Sequence, residues 1–188
     1  MTETSNSPMT ARVRAFLDRP HRLLIGGEWV DAASGKTFET RDPATGEVLA
    51  TVAHAEQADI DAAVEGAIAS KYRNAGQTCV CANRLYAQDG IYDKFVKKLA
   101  AKVAKMKVGN GFDDGVVIGP LIEDAAVKKV AKHVADAVKK GGKVLTGGEK
   151  MKGQFFEPTV ISGATADMLV ATEETFGPLA PVFRFKTE

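Results

Sequence analysis

The chain of 188 residues contains only two cysteines, one tryptophan and three histidines. Each scarcity excludes something. Two cysteines spaced C-x-C, Cys79 and Cys81, cannot build a disulfide framework. A structural zinc site would need two more ligands from His21, His54 and His133, which are scattered along the chain, so no metal site is expected. No stretch approaches the roughly eighteen apolar residues that a membrane-spanning helix needs, and the polar opening "MTETSNSPMTARVRAFLDRP" has no apolar signal core. A cytoplasmic protein without a membrane partner is expected. Charge of one sign is lacking too: the formal net charge is +1, with lysines and acids interspersed. Nucleic acid is therefore not an expected partner, because it selects for a basic face with interleaved aromatics.

What is present is ordinary soluble composition, enough for one good-sized domain and an arm. Residues 1–20 form an expected flexible segment. From His21 to Ala53, short apolar runs ("RLLI", "EWV", "TFET", "VLATV") alternate with turn chemistry such as Gly26-Gly27, "SGK" and "DPATGE". That punctuation predicts a small antiparallel β-meander arm. "EQADIDAAVEGAIAS" then predicts a helix capped by Asp59 or Asp61. Further on, Arg84 to Gln88 predicts a strand, with Asp89 as cap of a helix. Tyr92, Phe95, Val96, Leu99, Val103 and Met106 of that helix recur at three- and four-residue spacings. A second helix begins near Glu123, with Val127, Val130, Val134 and Val138 on one side, and "KKGG" stops it. Lys143–Thr146, Thr159–Ser162 and Pro181–Phe185 predict further strands. This alternation argues for an α/β layer with at least partly parallel pairing.

Three glycine-rich stretches fail as phosphate loops. "SGKT" has Val30 where a P-loop requires glycine. "VGNGFDDG" follows a helix and is mis-spaced, and "TGGEKMKG" opens no helix. All three are turns. His133 beside the apolar stripe predicts a half-exposed helix histidine, and the lysine run "KKLAAKVAKMK" a solvated face. No G-x-S-x-G elbow supports a serine hydrolase.

The cysteines remain. Cys79 follows "GQT" among small and polar residues and opens a stretch that resembles a helix start. A helix N-terminus would stabilise a thiolate and an oxyanion formed by its attack on a carbonyl. On chemistry alone, a nucleophile and a structural thiol both stay open.

From Glu65 onward the chain resembles the aldehyde dehydrogenase superfamily, and within it the succinate-semialdehyde dehydrogenase group. The matching text is "ASKYRNAGQTCVCANRLYAQDGIYDKF", "VIGPLI", "GGKVLTGG", "FFEPTVISG" and "EETFGPLAPVF", in order. The resemblance implies an incomplete catalytic domain over 65–188, an open, mostly parallel sheet with flanking helices. Residues 21–64 would be the β-meander arm and the start of a truncated cofactor domain. It implies oxidation of an aldehyde, succinate semialdehyde first, with NAD or NADP, through a thiohemiacetal and a thioester on Cys79. Arg73 matches the position that pairs with the substrate's distal carboxylate, a role an arginine fork suits. Glu174 and Phe176 match residues that touch the cofactor; without the family they would be a surface acid and a core aromatic. Cys81 matches a second cysteine that some members use as redox partner, and a C-x-C bridge would be strained and labile.

The chain also departs from the family. No Pro-Trp-Asn stretch supplies an oxyanion asparagine, no Glu-Leu-Gly-Gly supplies the deacylating base, and no Gly-Ser-Thr cofactor turn occurs. "ADIDAAV" looks like two similar family segments fused by a deletion, and "FRFKTE" falls before the family's last strands. The expectation is therefore little or no dehydrogenase activity, no cofactor held by this chain alone, and apolar surfaces that favour self-association or a homo-oligomer. Two other readings stay open: a non-catalytic assembly module, and a cofactor-free cysteine esterase or redox thiol.

Overall fold

Two groups of elements emerge in the computed structural model, which describes residues 8–25, 28–41 and 46–186. They form two units, Met1–Asp59 and Ile60–Glu188.

In the first unit, helix α1 (Pro8–Leu17) lies within the expected N-terminal segment; residues 1–7 of that segment are outside the described residues. The predicted meander resolves into two antiparallel pairs. β1 (Leu23–Ile25) runs against β2 (Glu28–Val30), and β3 (Thr37–Arg41) against β4 (Val48–Ala53). An isolated bridge joins His21, just before β1, to Val52 of β4. The predicted turns at Gly26-Gly27 and across residues 42–45 lie outside the described residues. Asp59 sits in the first turn of helix α2 (Gln57–Lys71) and not at its cap. It accepts the backbone N–H of Glu56 at 2.8 Å, and its other oxygen takes that of Ala33 at 2.8 Å. A carboxylate at the third helical position reaching back to the cap N–H is half of a capping box.

The second unit is an α/β layer. Its sheet has the order β5-β10-β9-β8, formed by β5 (Leu85–Gln88), β8 (Lys143–Thr146), β9 (Thr159–Ala164) and β10 (Leu179–Phe185). Central β10 is parallel to both neighbours, with Val182 opposite Leu85 and Leu179 opposite Thr159, while β8 closes the edge antiparallel to β9. A smaller parallel pair joins β6 (Lys107–Val108) to β7 (Val116–Ile118). The open, mostly parallel sheet matches the expectation from alternating elements. β10 contains Pro181, which cannot donate to a ladder, and the β9–β10 register shifts between Pro181 and Phe183. The Tyr92 hydroxyl fills that gap, donating to Val182 O at 3.0 Å and accepting from Gly163 N at 2.7 Å.

Helix α3 (Asp89–Val103) packs on β5, β8, β9 and β10, and helix α4 (Asp124–Lys139) on β8 and β9. The predicted stripes hold: Phe95, Val96, Leu99 and Val103 are buried, as are Val127, Val130 and Val134. Each such side chain removes roughly 1.5 to 3 kcal/mol of apolar exposure at most. Four readings need correction. Met106 is not on the α3 stripe, because the helix ends at Val103. Val138, in the last turn of α4, is exposed although it shares the helix face of buried Val127. Asp89 does not cap α3; the cap residue is Gln88, and the Asp89 carboxylate instead accepts from Arg184 at 2.6 Å. His133 is not half-exposed but fully buried, since a turn after the short helix α5 (Leu169–Thr172) folds over it.

Candidate functional site

Both segments with candidate site residues lie in the second unit and meet there. The first leaves α2 at Tyr72, passes through a 3-10 turn at Arg73–Gly76 and ends at Cys81. Asn74, Ala75 and Gly76 have φ of 49°, 54° and 75°, three consecutive left-handed residues of which only the last is glycine. Such backbone persists only where surrounding contacts over-determine it, and the turn is pinned along its length. The Tyr72 hydroxyl donates to Thr159 O at 2.8 Å. Burial raises the Tyr72 pKa strongly, so this hydroxyl keeps its proton and remains a donor. Gln77 takes the N–H of Ile122 at 2.8 Å and donates to Pro120 O at 3.3 Å.

The second segment runs from Glu173 to Pro178. Its backbone approaches the first so closely that a methyl group on Gly76 would lie 2.1 Å from Gly177 O. Thr175 N donates to Asn83 Oδ1 at 3.1 Å, which stitches the segment to the chain just beyond Cys81. Phe176 is the third non-glycine residue with left-handed backbone among the described residues, at φ 53°. Its ring is half-buried, and Glu174 is exposed.

Within this frame the two thiols differ. Cys81 is 6% exposed, shares a hydrogen bond with the Thr78 hydroxyl and donates to Arg73 O at 3.6 Å. Cys79 is exposed, as is Val80 beside it, and both cysteines are free. The helix start predicted at Cys79 is not there: residues 79–80 form a turn, and the chain goes on through irregular backbone into β5. A helix dipole is thus not what would activate this thiol. Arg73 is exposed at the start of the same turn.

Sequence reasoning passed over Lys71, one residue before the turn. Its side chain is fully buried, and Nζ has no hydrogen-bond partner among the described residues. Burial lowers its pKa to about 8, opposed by the attraction of Cys81 and Glu174. Thus a buried amine lies electrostatically between the thiol turn and the Glu174 turn. No signal local to "ASKYR" reports this burial. Gly76, Gly177, Gln77 and Asn83 were also missed as positioning residues; Gly76 and Gly177 stand inside the quoted motifs and could have been found there as sites of backbone approach.

The described residues contain no group of three or more His, Cys, Asp or Glu able to hold a metal ion. No helix among them is long and apolar enough to cross a membrane.

Residues 55–188 match the model of the aldehyde dehydrogenase family. Among curated relatives, the glutarate-semialdehyde dehydrogenase of Pseudomonas putida is 62% identical over 133 residues, covering 71% of this chain and 28% of the relative. The NADP-dependent succinate-semialdehyde dehydrogenase of Escherichia coli is 58% identical over 135 residues, with the same two coverages. Of solved structures, an aldehyde dehydrogenase from Brucella melitensis biovar abortus superposes with a TM-score of 0.68 at 66% identity, over 69% of this chain and 27% of that one. A succinate-semialdehyde dehydrogenase from Burkholderia pseudomallei gives 0.67 at 61% identity, with the same coverages. The chain therefore spans less than a third of the length of the relatives it matches.

Proposed function

The chain belongs to the aldehyde dehydrogenase family, and on that premise we propose that it carries the nucleophile-bearing half of a semialdehyde dehydrogenase site, with little or no dehydrogenase turnover by itself. The observation that carries this is the Cys79 turn: an exposed thiol presented by a strained backbone and pinned against the turn that bears Glu174 and Phe176. A structural thiol has no need of such presentation; Cys81, two residues on, is buried instead.

In this reading the Cys79 thiolate adds to the carbonyl carbon of an ω-carboxylated aldehyde, succinate or glutarate semialdehyde, and the new oxyanion takes a proton from solvent. The guanidinium of Arg73 holds the distal carboxylate with two charge-assisted bonds. NAD or NADP, when bound, would accept the hydride from the thiohemiacetal carbon, the hydroxyl proton passing to solvent as the thioester forms on Cys79. Glu174 and Phe176 suit that group, because an exposed carboxylate can accept from ribose hydroxyls and a half-exposed ring can pack on a flat heterocycle. Water then cleaves the thioester, freeing the acid and the Cys79 thiol. Without a general base this last step slows by roughly a hundredfold to ten-thousandfold. The sequence contains neither the Glu-Leu-Gly-Gly base motif nor the Pro-Trp-Asn oxyanion motif. In the same reading Cys81 is a redox partner for Cys79, and 65–188 is the part-built catalytic domain.

Self-association belongs to the same reading. β5 and β8 are the sheet's edge strands, and Tyr86 on β5 and Leu145 on β8 are exposed, as are Ile122 and Val117 beside the thiol turn.

Mixing the chain with succinate semialdehyde and NAD or NADP, and following reduced-nicotinamide absorbance, tests the proposal. The expected result is no signal above that of Cys79→Ala. Turnover at the ordinary rates of about 1 to 1,000 per second, lost on Cys79→Ala, would overturn the claim of incompetence while leaving the nucleophile in place.

A further inference from the structure

The Glu173–Gly177 turn is held by a group that none of the family motifs contains. His133, on α4, has no solvent exposure, yet both its ring nitrogens are engaged. Nε2 lies 3.2 Å from Glu173 Oε2, and Nδ1 lies 3.0 Å from Thr175 Oγ1. A carboxylate only accepts, so Nε2 carries the hydrogen and donates to Glu173, and Nδ1 then accepts from the Thr175 hydroxyl. One imidazole thus grips the turn on both sides of Glu174, just before Phe176.

We propose that His133 is the positioning residue of the Glu173–Gly177 turn, a proton-sensitive latch that sets where Glu174 and Phe176 are presented. The proposal rests on the function proposed above only for the role given to those two residues; the latch itself is a property of α4 and the turn. Its chemistry is that of a single proton. Adding a proton at Nδ1 turns that nitrogen from acceptor into donor. The Thr175 hydroxyl must then rotate to accept, and its own hydrogen, buried with the side chain, loses its acceptor. Strain is thereby placed on the residue whose N–H reaches Asn83 and whose chain leads into left-handed Phe176 and the Gly177 contact with Gly76.

The charges acting on His133 are Glu173 from the turn and Lys129, Lys132 and Asp136 from its own helix. Burial is the largest influence and holds the imidazole below its ordinary pKa; Glu173 pulls the other way, and the two lysines add to the lowering. The neutral, latched form therefore prevails at neutral pH. The latch yields as pH falls through the folded-state value.

The test is nuclear magnetic resonance of the 15N-labelled chain from pH 8 to pH 5. The His133 ring signals are expected to titrate below the ordinary imidazole range, and the Thr175 and Gly177 amide signals to shift with the same midpoint. Glu173→Gln, at an exposed position where folding is not in question, should move that midpoint to lower pH, because the pull toward the charged form is lost. His133→Gln should abolish the amide titration. Amides that do not follow His133, amides that still titrate in His133→Gln, or an unmoved midpoint in Glu173→Gln would each overturn the latch. No aldehyde or cofactor is involved, so a failed dehydrogenase reading would leave this result intact, and a failed latch would leave Cys79 chemistry untouched.

Discussion

Gly76→Ala is expected to lower the unfolding free energy by about 3 to 5 kcal/mol, in the range that marks a defined structural fault. Two costs combine. The residue sits at φ +75°, where a β-carbon is strained, and the added methyl would stand 2.1 Å from Gly177 O and 2.6 Å from Gly177 C. Both obstacles are backbone atoms, and that backbone is fixed by Thr175 N on Asn83 and Leu179 N on Gly177 O. Neither side can retreat without breaking the junction. Gly177→Ala makes an instructive contrast, because its φ is not left-handed and its methyl would meet chiefly a side-chain atom, Val130 Cγ2, at 2.4 Å, with no backbone atom in the way. It should cost less. Gly90→Ala is the control: it lies in α3 with open space around its β position, and the helix propensity of alanine should leave it neutral or up to about 1 kcal/mol more stable. Urea unfolding followed by circular dichroism distinguishes the three. A Gly76→Ala cost under about 1 kcal/mol would mean that the two turns do not touch as described.

Lys71→Met is expected to change stability by a similar amount in the opposite direction. The amine is fully buried and unpartnered, and its pKa falls from 10.5 unfolded to about 8 folded. At about 1.36 kcal/mol per unit, keeping it charged in the fold costs on the order of 3 kcal/mol at pH 7. The sign follows from proton counting. Between pH 8 and 10.5 the unfolded chain binds more protons than the folded one, so the wild-type chain gains stability as pH rises through that window. The stabilising effect of Lys71→Met should therefore be largest below pH 8 and fade toward pH 10.5. Methionine fills a similar volume without a charge. Paired unfolding curves at pH 7 and pH 10 measure this directly. Equal effects at both values would show that folding does not lower the Lys71 pKa. The cost also explains why an unpartnered lysine is of interest at all: a fold that tolerates it beneath its thiol turn holds a positive potential next to Cys81 and Glu174.

Much of the second unit was legible in the sequence because its signals are periodic. Tyr92, Phe95, Val96, Leu99 and Val103 repeat at helical spacing and are all buried on one face of α3. The strands around Tyr86, Val144, Val160 and Val182 lie where turn residues and β-branched runs placed them. The misses share a physical cause. His133 resembled a half-exposed helix histidine because its partners, Glu173 and Thr175, lie some forty residues further on and leave no trace in the local pattern. Lys71 was passed over because nothing in its neighbours along the chain signals burial. Cys79 suggested a helix start because small residues after "GQT" are compatible with one, but Asn74, Ala75 and Gly76 turn left-handed and direct the chain into irregular backbone and then β5. The meander divided into two pairs because short strands carry turn signals at their ends but no signal for which strand lies beside which.

The motif residues themselves carried the family, and the structure adds the difference between the two thiols. Cys79 is exposed on a turn that Gln77, Tyr72 and Gly177 hold in place, while Cys81 faces inward against Thr78 and the carbonyl of Arg73. The most direct test of that account is timed alkylation of the native chain, with each cysteine quantified by peptide mass spectrometry, using iodoacetamide and its anionic analogue iodoacetate. The account predicts that Cys79 is modified at least tenfold faster than Cys81 (about 1.4 kcal/mol in the barrier), that the two converge in denaturant, and that Arg73→Gln slows iodoacetate selectively. Equal labelling of the two thiols in the folded chain, or faster labelling of Cys81, would contradict it.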